Sequence, residues 1–315
     1  MIAGRIMTEQ KRKLPTWHGT LLYNEPMARH TSWRAGGNAD RFYKPDGIKD
    51  LAEYLKTISH DEPLYWVGLG SNLLVRDAGI RGTVICTSGV MNHIDARDGL
   101  IYVEAGVSCA KTARFTARLG LVGAEFLSGI PGTMGGALAM NAGAFGGETW
   151  PLVARVETMN RHGERFVRTP DEYKVSYRHV EGHAGEWFIA AYLQLEHGDA
   201  EAGMLRIKEL LARRNESQPV QTLSCGSVFR NPQGDFAARL IEECGLKGVC
   251  IGGACVSEKH ANFIINAGDA TAKDIELLIN KVKHTVMEQK NIKLETEVHI
   301  IGEPEQGYPG GGHNA

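Results

Sequence analysis

The sequence predicts an α+β chain of two domains, and three observations predict it. Strand-like and helix-like segments alternate up to about residue 197. After Asp199 the style changes, and three amphipathic helical segments lead to one last alternating strand. Glycine supplies 38 of 315 residues, well above the usual ~7%, which signals backbone held close to something in several places. No internal repeat is visible.

In chain order, "DGIKDLAEYLKTISH" puts Ile48, Leu51, Leu55 and Ile58 on one helical face, with Asp46 as the expected N-cap. "PLYWVGLG" reads as a buried strand, and "TVICTS" and "LIYVEAG" as further strands. "SCAKTARFTARLG" is a helix capped by Ser108 and stopped by Gly120. "LVARVETMNRHGERFVRT" is a hairpin turning at "RHGE", and "EWFIAAYLQLEHG" is the long strand that closes the first half. Beyond it, "DAEAGMLRIKELLARRNESQP" is a helix ending before Pro219, and "DFAARLIEECGLKG" is a shorter one with Gly245 just past its end. "TAKDIELLINKVKHTVMEQKNI" is capped by Thr271 and turns Ile275, Leu278, Ile279, Val282 and Val286 inward. In "KLETEVHIIG", Leu294, Thr296, Val298 and Ile300 share one face, and Glu295, Glu297, His299 and Ile301 the other. The expected division is an N-terminal extension over 1–24, a first domain over 25–197 with lobes 25–87 and 88–197, a second domain over 198–302, and a disordered tail over 303–315.

Composition excludes several classes. At 43% hydrophobic and 23% charged, with net charge −2, the chain has no basic footprint for nucleic acid or an anionic membrane. It has no signal-type apolar run at its start and no stretch of ~20 apolar residues. The six cysteines form no C-x-x-C pair and no metal rhythm with histidine, so they read as buried or incidental thiols in a reduced, cytosolic protein, with no metal.

Two small-residue loops carry the first functional signal. "VGLGSNLLVRD" follows a strand, but Leu73 stands where a dinucleotide fingerprint requires its third glycine. A Rossmann site and a P-loop are both disfavoured, and what remains is a turn whose N–H groups suit an anion. "SGIPGTMGGALAMNAGAFGGE" holds seven glycines and four alanines among its 21 residues. Pro131 lies just before a helix at Met134, whose start suits a second anion. Two such loops in one domain suit a dinucleotide.

The chain resembles the UDP-N-acetylenolpyruvoylglucosamine reductase family. "HTSWRAGGNADRF", "VGLGSNLLVRD", "GIPGTMGGALAMNAGAFG", "VSYRHV", "CGSVFRNP", "SEKHANFIIN" and "LETEVHIIG" occur in that order, over roughly Met27 to Gly302. The resemblance implies a two-lobed FAD-binding domain of the vanillyl-alcohol-oxidase (PCMH) type, then an α+β substrate domain. It implies noncovalent FAD, NADPH as reductant, a UDP-sugar substrate, and a cytoplasmic monomer in peptidoglycan precursor synthesis. Gly68, Gly70, Ser71 and Asn72 would hold the pyrophosphate. Ile130, Gly132, Thr133, Gly135 and Gly136 would line the cofactor, with Thr31, Arg34 and Asn141 beside it. No tyrosine-bearing insertion lies between Arg178 and Ser227, so the chain resembles the family's shorter type.

Three residues match the catalytic positions: Arg178, Ser227 and Glu297. Reduction of an enolpyruvyl ether puts negative charge on the carbon bearing the carboxylate. An arginine fork and a protonated glutamate suit that charge, and a hydroxyl suits the proton delivery. Arg213, Arg214, Gln218, Arg230, Asn231, Lys259, His260 and Asn262 are expected to meet the nucleotide sugar. Two rival readings are an FAD-dependent sugar or alcohol oxidase of the same superfamily and a silent FAD- or nucleotide-binding protein.

Overall fold

The structure, a computed structural model, describes residues 16–304. The expected tail beyond Pro304 and the extension up to residue 15 lie outside the described residues.

The first lobe is a four-stranded sheet in the order β1 (Thr20–Pro26), β2 (Asn38–Lys44), β5 (Ile80–Cys86), β3 (Leu64–Val67). The β1–β2 pair is antiparallel, and β2–β5 and β5–β3 are parallel. Residues 20–24, expected in the extension, are thus part of the sheet. Between β2 and β3 the chain crosses over through α1 (Ile48–Leu55), which buries Ile48, Leu51, Tyr54 and Leu55. Asp46 does not cap it. The N-cap is Gly47, and the carboxylate of Asp50 accepts the Asp46 N–H and the Tyr43 hydroxyl instead.

The second lobe is a five-stranded antiparallel sheet ordered β12 (Arg165–Arg168), β11 (Val153–Asn160), β15 (Glu186–Leu193), β7 (Leu100–Glu104), β6 (Ile94–Arg97). The expected hairpin is β11–β12. Helix α2 (Cys109–Arg118) begins where Ser108 Oγ accepts the Lys111 N–H and ends before Gly120 at φ +68°. Replacing such a cap by alanine costs about 1 kcal/mol. Helix α3 (Met134–Met140) starts at the expected residue. Three short pairs trim the lobe: β8 (Leu121–Val122) with β16 (Glu196–His197), β9 (Gly143–Ala144) with β10 (Gly147–Glu148), and β13 (Lys174–Ser176) with β14 (His179–Glu181).

Helix α4 (Ala200–Ser217) is capped by Asp199 and stops before Pro219, as its sequence suggests. Its apolar face goes to an unexpected place. Ile207 is buried in the second lobe's core with Ala113, Ala117 and Phe126, and Met204 and Leu211 pack on the same core. Counted by core, the break between units therefore falls after α4 rather than near residue 198.

The C-terminal unit has a sheet ordered β17 (Leu223–Ser224), β20 (Ile264–Asn266), β19 (Ala254–Val256), β18 (Cys250–Ile251), covered by α5 (Ala237–Glu243) and α6 (Ala272–Lys290). Thr271 and Asp274 form a capping box at α6, and Ile275, Leu278, Ile279, Val282 and Val286 are all buried. Each such side chain contributes roughly 1.5–3 kcal/mol. Cys250 and Cys255 face each other across the β18–β19 hairpin and are joined as a disulfide, against the expectation of six thiols. The tight Gly252–Gly253 turn creates this pairing, and no known cysteine spacing announces it.

Long-range contacts stitch the C-terminal unit to the first lobe. Strand β21 (His299–Ile301) pairs in parallel with β4 (Leu73–Val75). Trp33, fully buried, joins the C-terminal core and donates its ring N–H to the Ile264 carbonyl at 2.7 Å. Arg76 grips Glu276 of α6 through Nε and Nη2, both at 3.0 Å, and both carboxylate oxygens of Asp77 accept first-turn N–H groups of α6.

Candidate active site

The loop after β3 carries the clearest vacancy in hydrogen bonding. None of the backbone N–H groups of residues 68–72 donates a hydrogen bond among the described residues. A run of free N–H groups around a tight turn is an anion cradle. Its small residues are enforced by the protein itself. Gly70 sits at φ +63°, and a Cβ there would collide with the His30 carbonyl. A Cβ on Gly68 would collide with Thr133 Oγ1, so the two glycine-rich loops touch. That same Thr133 Oγ1 is buried with no partner, and a Cβ on Gly132 or Gly136 would meet only ordinary van der Waals neighbours, none closer than 3.6 Å. An orphaned hydroxyl between two uncrowded glycines and a row of free N–H groups fits a dinucleotide pyrophosphate.

The seven glycines of the second loop divide by cause. A Cβ on Gly129 would strike Phe145, on Gly135 Ala105, on Gly143 the Gly147 carbonyl, and on Gly147 Phe126. These four are small because protein packs on them. At Gly135, an expected cofactor-lining residue, packing on Ala105 is by itself enough to exclude a side chain. A Cβ on Gly132 or Gly136 would make only ordinary contacts, and Gly146, at φ +86°, has nothing within 4 Å. The helix start is also less available than expected, since the N–H groups of Met134 and Gly135 donate to the carbonyls of Val107 and Ala105. Ile130 is half-buried beside this core. Ser71 has its Oγ 3.6 Å from a Cβ built on Gly132, which keeps the two loops adjacent.

Three side chains expected near the cofactor have other work. Asn141 is 1% exposed and in the left-handed region; its amide donates to Glu148 and the Ser176 carbonyl and accepts from the Trp150 N–H, so it fastens the α3 terminus. Thr31 is buried and donates to the Ala35 carbonyl. Arg34 is exposed, and its guanidinium bonds the Arg29 carbonyl.

Arg178 and Glu297, 119 positions apart, meet in space. Arg178 Nε donates to Glu297 Oε1 at 2.9 Å, and Nη2 donates to the Gly143 carbonyl at 2.8 Å. Arg178 stands at φ +55° in the turn of the β13–β14 hairpin, and its guanidinium lies over the Tyr177 ring. Burial pushes the Glu297 carboxyl above the ordinary glutamate range, and the Arg178 charge opposes that rise. Glu297 is held at its backbone too. Its N–H donates to the Val228 carbonyl at 2.8 Å, and its carbonyl accepts the Asn72 amide at 3.0 Å. The first bond ties the Glu297 backbone to Val228, the residue that follows half-buried Ser227. The second ties it to the anion loop, so the Asn72 side chain positions Glu297 rather than pointing at a phosphate.

The remaining expected residues form two groups. Arg214 is half-buried with one side-chain partner, Gln218 Oε1 at 3.2 Å, and Lys259 Nζ reaches the Asn215 carbonyl at the same end of α4. Arg213 is exposed with its guanidinium over Phe145. The second group flanks the catalytic segment. Arg230 has a buried Nε without a partner, only a 4.0 Å pair with Glu295, and its charge reaches Glu297. Asn231 accepts the Ala237 N–H and so leads into α5. His260 packs edge-on against Phe263 with Nδ1 buried and unpartnered. Asn262 is corrected from substrate contact to scaffold: buried, it brackets Phe229 at both N–H and carbonyl, and its own carbonyl accepts the Val228 N–H. Cys225 is no proton source, because its buried thiol, pushed up to about 12, points at the Gly70 and Leu73 carbonyls.

Sequence reasoning missed Trp33, Arg76 and Asp77. The last two stand inside "VGLGSNLLVRD", yet their partners lie about 200 positions away and leave no local signal.

Known proteins match this arrangement. The FAD binding domain family matches residues 39–167, and the C-terminal domain family of UDP-N-acetylenolpyruvoylglucosamine reductase matches residues 218–301. The reductase of that name from Methylococcus capsulatus is 61% identical over 286 residues, covering 90% of this chain and 94% of that one. The one from Alkalilimnicola ehrlichii is 57% identical, covering 95% and 99%. Among solved structures, UDP-N-acetylenolpyruvylglucosamine reductase from Thermus caldophilus superposes with TM-score 0.77 at 32% identity, covering 90% of this chain and 98% of that one. The likeness to 6-hydroxy-D-nicotine oxidase from Arthrobacter nicotinovorans, TM-score 0.55 at 12% identity over 90% of each chain, concerns the fold alone.

Proposed function

The chain belongs to the UDP-N-acetylenolpyruvoylglucosamine reductase family, and from that premise we propose how its own residues run the reaction. It reduces the enolpyruvyl group of UDP-N-acetylglucosamine enolpyruvate to UDP-N-acetylmuramate with FAD and NADPH, a step of peptidoglycan precursor synthesis. The oxidase alternative has no support in the C-terminal match.

FAD, when bound, supplies two-electron chemistry that carries reducing equivalents from NADPH to the terminal vinyl carbon. The free N–H groups of residues 68–72 hold the pyrophosphate, with Thr133 Oγ1, Gly132 and Gly136 beside it. Arg178 and protonated Glu297 meet the substrate carboxylate as charge spreads into it from the adjacent carbon. Their mutual bond uses one carboxylate oxygen and one guanidinium nitrogen, which leaves donors for substrate. Ser227 gives its hydroxyl proton to the carbon that carries the charge. A serine is a weak acid, but an enolate carbon is strongly basic and proximity supplies much of the rest. Arg230, Arg214, Gln218 and Lys259 take the nucleotide phosphates.

The observation that carries this reading is the Arg178–Glu297 pair, with the Glu297 backbone bonded to Val228, the residue after Ser227, and to the anion loop through Asn72. We infer a cytoplasmic monomer; no helix among the described residues is long and apolar enough to cross a membrane. The test is an anaerobic titration of the purified yellow protein. NADPH should bleach the flavin band and the enolpyruvyl substrate should restore it. A protein that NADPH bleaches and substrate leaves bleached would refute the assigned substrate.

A further inference from the structure

The Cys250–Cys255 disulfide belongs to no step above, and four features of its setting give it a role. Cys250 is exposed, so a thiol reaches it from solvent. The bond crosses an edge hairpin whose strands are two and three residues long, too short to hold themselves. The hairpin turn is crowded against α6: a Cβ on Gly252 would collide with the Asp274 carboxylate, and one on Gly253 with the Ala270 backbone. Both cysteines line a groove of about 720 Å³ shared with Gln218, Ser257 and Lys259.

A short path of chain and hydrogen bonds runs from the hairpin to the segment that carries Ser227. Strand β19 leads into Ser257, whose Oγ accepts the N–H groups of Lys259 and His260. Five residues on from Ser257, Asn262 fixes Val228 and Phe229, the two residues after Ser227. On the other side, the Gly248 N–H donates to the Val256 carbonyl, the Val256 N–H to the Val249 carbonyl, and the Val249 N–H to the Leu246 carbonyl just after α5.

We propose that Cys250–Cys255 is a thiol–disulfide exchange site opened by a dithiol reductant, and that its closed form keeps the groove shaped for the UDP sugar. One reductant thiolate attacks the exposed Cys250 sulfur, and Cys255 leaves as a thiolate and takes a proton. The second reductant thiol then displaces Cys250 and becomes the reductant's own disulfide. Two electrons and two protons pass to the protein. Disulfides in reducing compartments are typically transient and regulatory, which fits a pair that solvent thiols reach. Once opened, β18 is left with its two-residue ladder and the packing of Val249 and Ile251 on the core, and residues 247–251 loosen.

The affinity arm of the test rests on the proposed function; the other two arms do not. The FAD-loaded protein is treated with dithiothreitol under native conditions and alkylated, alongside an untreated sample and the Cys250→Ser/Cys255→Ser variant. Mass spectrometry should find two additional alkylated cysteines, Cys250 and Cys255, in the reduced protein. Amide hydrogen exchange over residues 247–256 should rise on reduction and should already be raised in the variant. KM for the enolpyruvyl substrate should rise about three- to tenfold in the reduced protein and the variant, with kcat little changed, as expected when one or two contact side chains lose their preordering. The variant should not respond to dithiothreitol. A pair that resists native reduction, exchange that does not change, or turnover with equal KM in both states overturns the proposal. Absence of turnover in both states, with the mass and exchange changes present, would instead count against the assigned substrate.

Discussion

Two arginine–glutamate pairs bridge the first two lobes to the C-terminal unit, and they differ in one respect that separates scaffold from chemistry. Arg76 and Glu276 are 23% and 8% exposed; Arg178 and Glu297 are 17% and 17%. Shelter is therefore similar. The first pair is bidentate, with both carboxylate oxygens taken by one guanidinium whose Nη1 also bonds the Gly302 carbonyl. The second uses one carboxylate oxygen, and the Arg178 Nη1 donates to nothing among the described residues. A saturated pair has nothing left to offer a ligand and serves as a latch. An unsaturated pair of the same composition keeps a donor and an acceptor at hand.

The comparison is tested most severely beside the open pair. Ser227→Ala should leave bleaching of the flavin by NADPH near wild type and slow its restoration by substrate on the order of 10²–10⁴-fold. Anaerobic stopped-flow follows each step alone, and wild-type restoration would remove Ser227 from the proton's path. Arg178→Lys keeps the charge and loses the fork, so restoration should slow on the order of 10²-fold with a smaller change in substrate affinity. A defect in affinity alone would make Arg178 a binding residue. The latch should respond in the opposite manner. Glu276→Gln should cost about 1.5–3 kcal/mol of stability in denaturant unfolding while both half-reactions keep their rates once the protein is folded. A slowed half-reaction would abolish the distinction drawn here.

The smallest effect concerns pH. Burial raises the Glu297 carboxyl in the folded protein, so folding favours its protonated form. That contribution to stability is present at pH below the ordinary glutamate range and is lost as pH rises through the raised value. The substrate step, for which the protonated acid is proposed, should fade over the same rise. Glu297→Gln should lower the rate and flatten that alkaline limb in stopped-flow profiles. A limb unchanged in Glu297→Gln would assign it to another group.

What the sequence disclosed follows the reach of each interaction. Helices α2 and α6 were legible because Ser108 and Thr271 cap them from adjacent positions and their apolar faces keep a 3.6-residue period. The small-residue loops were legible as a site, but not the cause of each glycine. Gly135 and Gly136 are neighbours in sequence, and a Cβ on one would strike Ala105 while a Cβ on the other would make only an ordinary contact with Thr133. The amides were the least legible residues. Asn72, Asn141 and Asn262 look like ligand contacts in their motifs, and each spends its side chain on backbone or side-chain groups that only the folded chain brings near. Helix α4 went to the second lobe for a similar reason, since nothing in its own pattern says which core its apolar stripe will meet.

The pairing of β4 with β21 sets an order of events during synthesis. Strand β4 leaves the anion loop directly, and the residues that flank it, Asn72 and Arg76, bond to Glu297 and Ile301. The contact from Asn72 to Glu297 spans 225 positions. A ribosome releases the chain from its N-terminus, so the loop emerges early and stands with one edge bare while the rest is made. Asn72 and Arg76 gain these partners only when residues 297–301 arrive, so a product cut short before residue 297 would carry the loop with its C-terminal end unfastened.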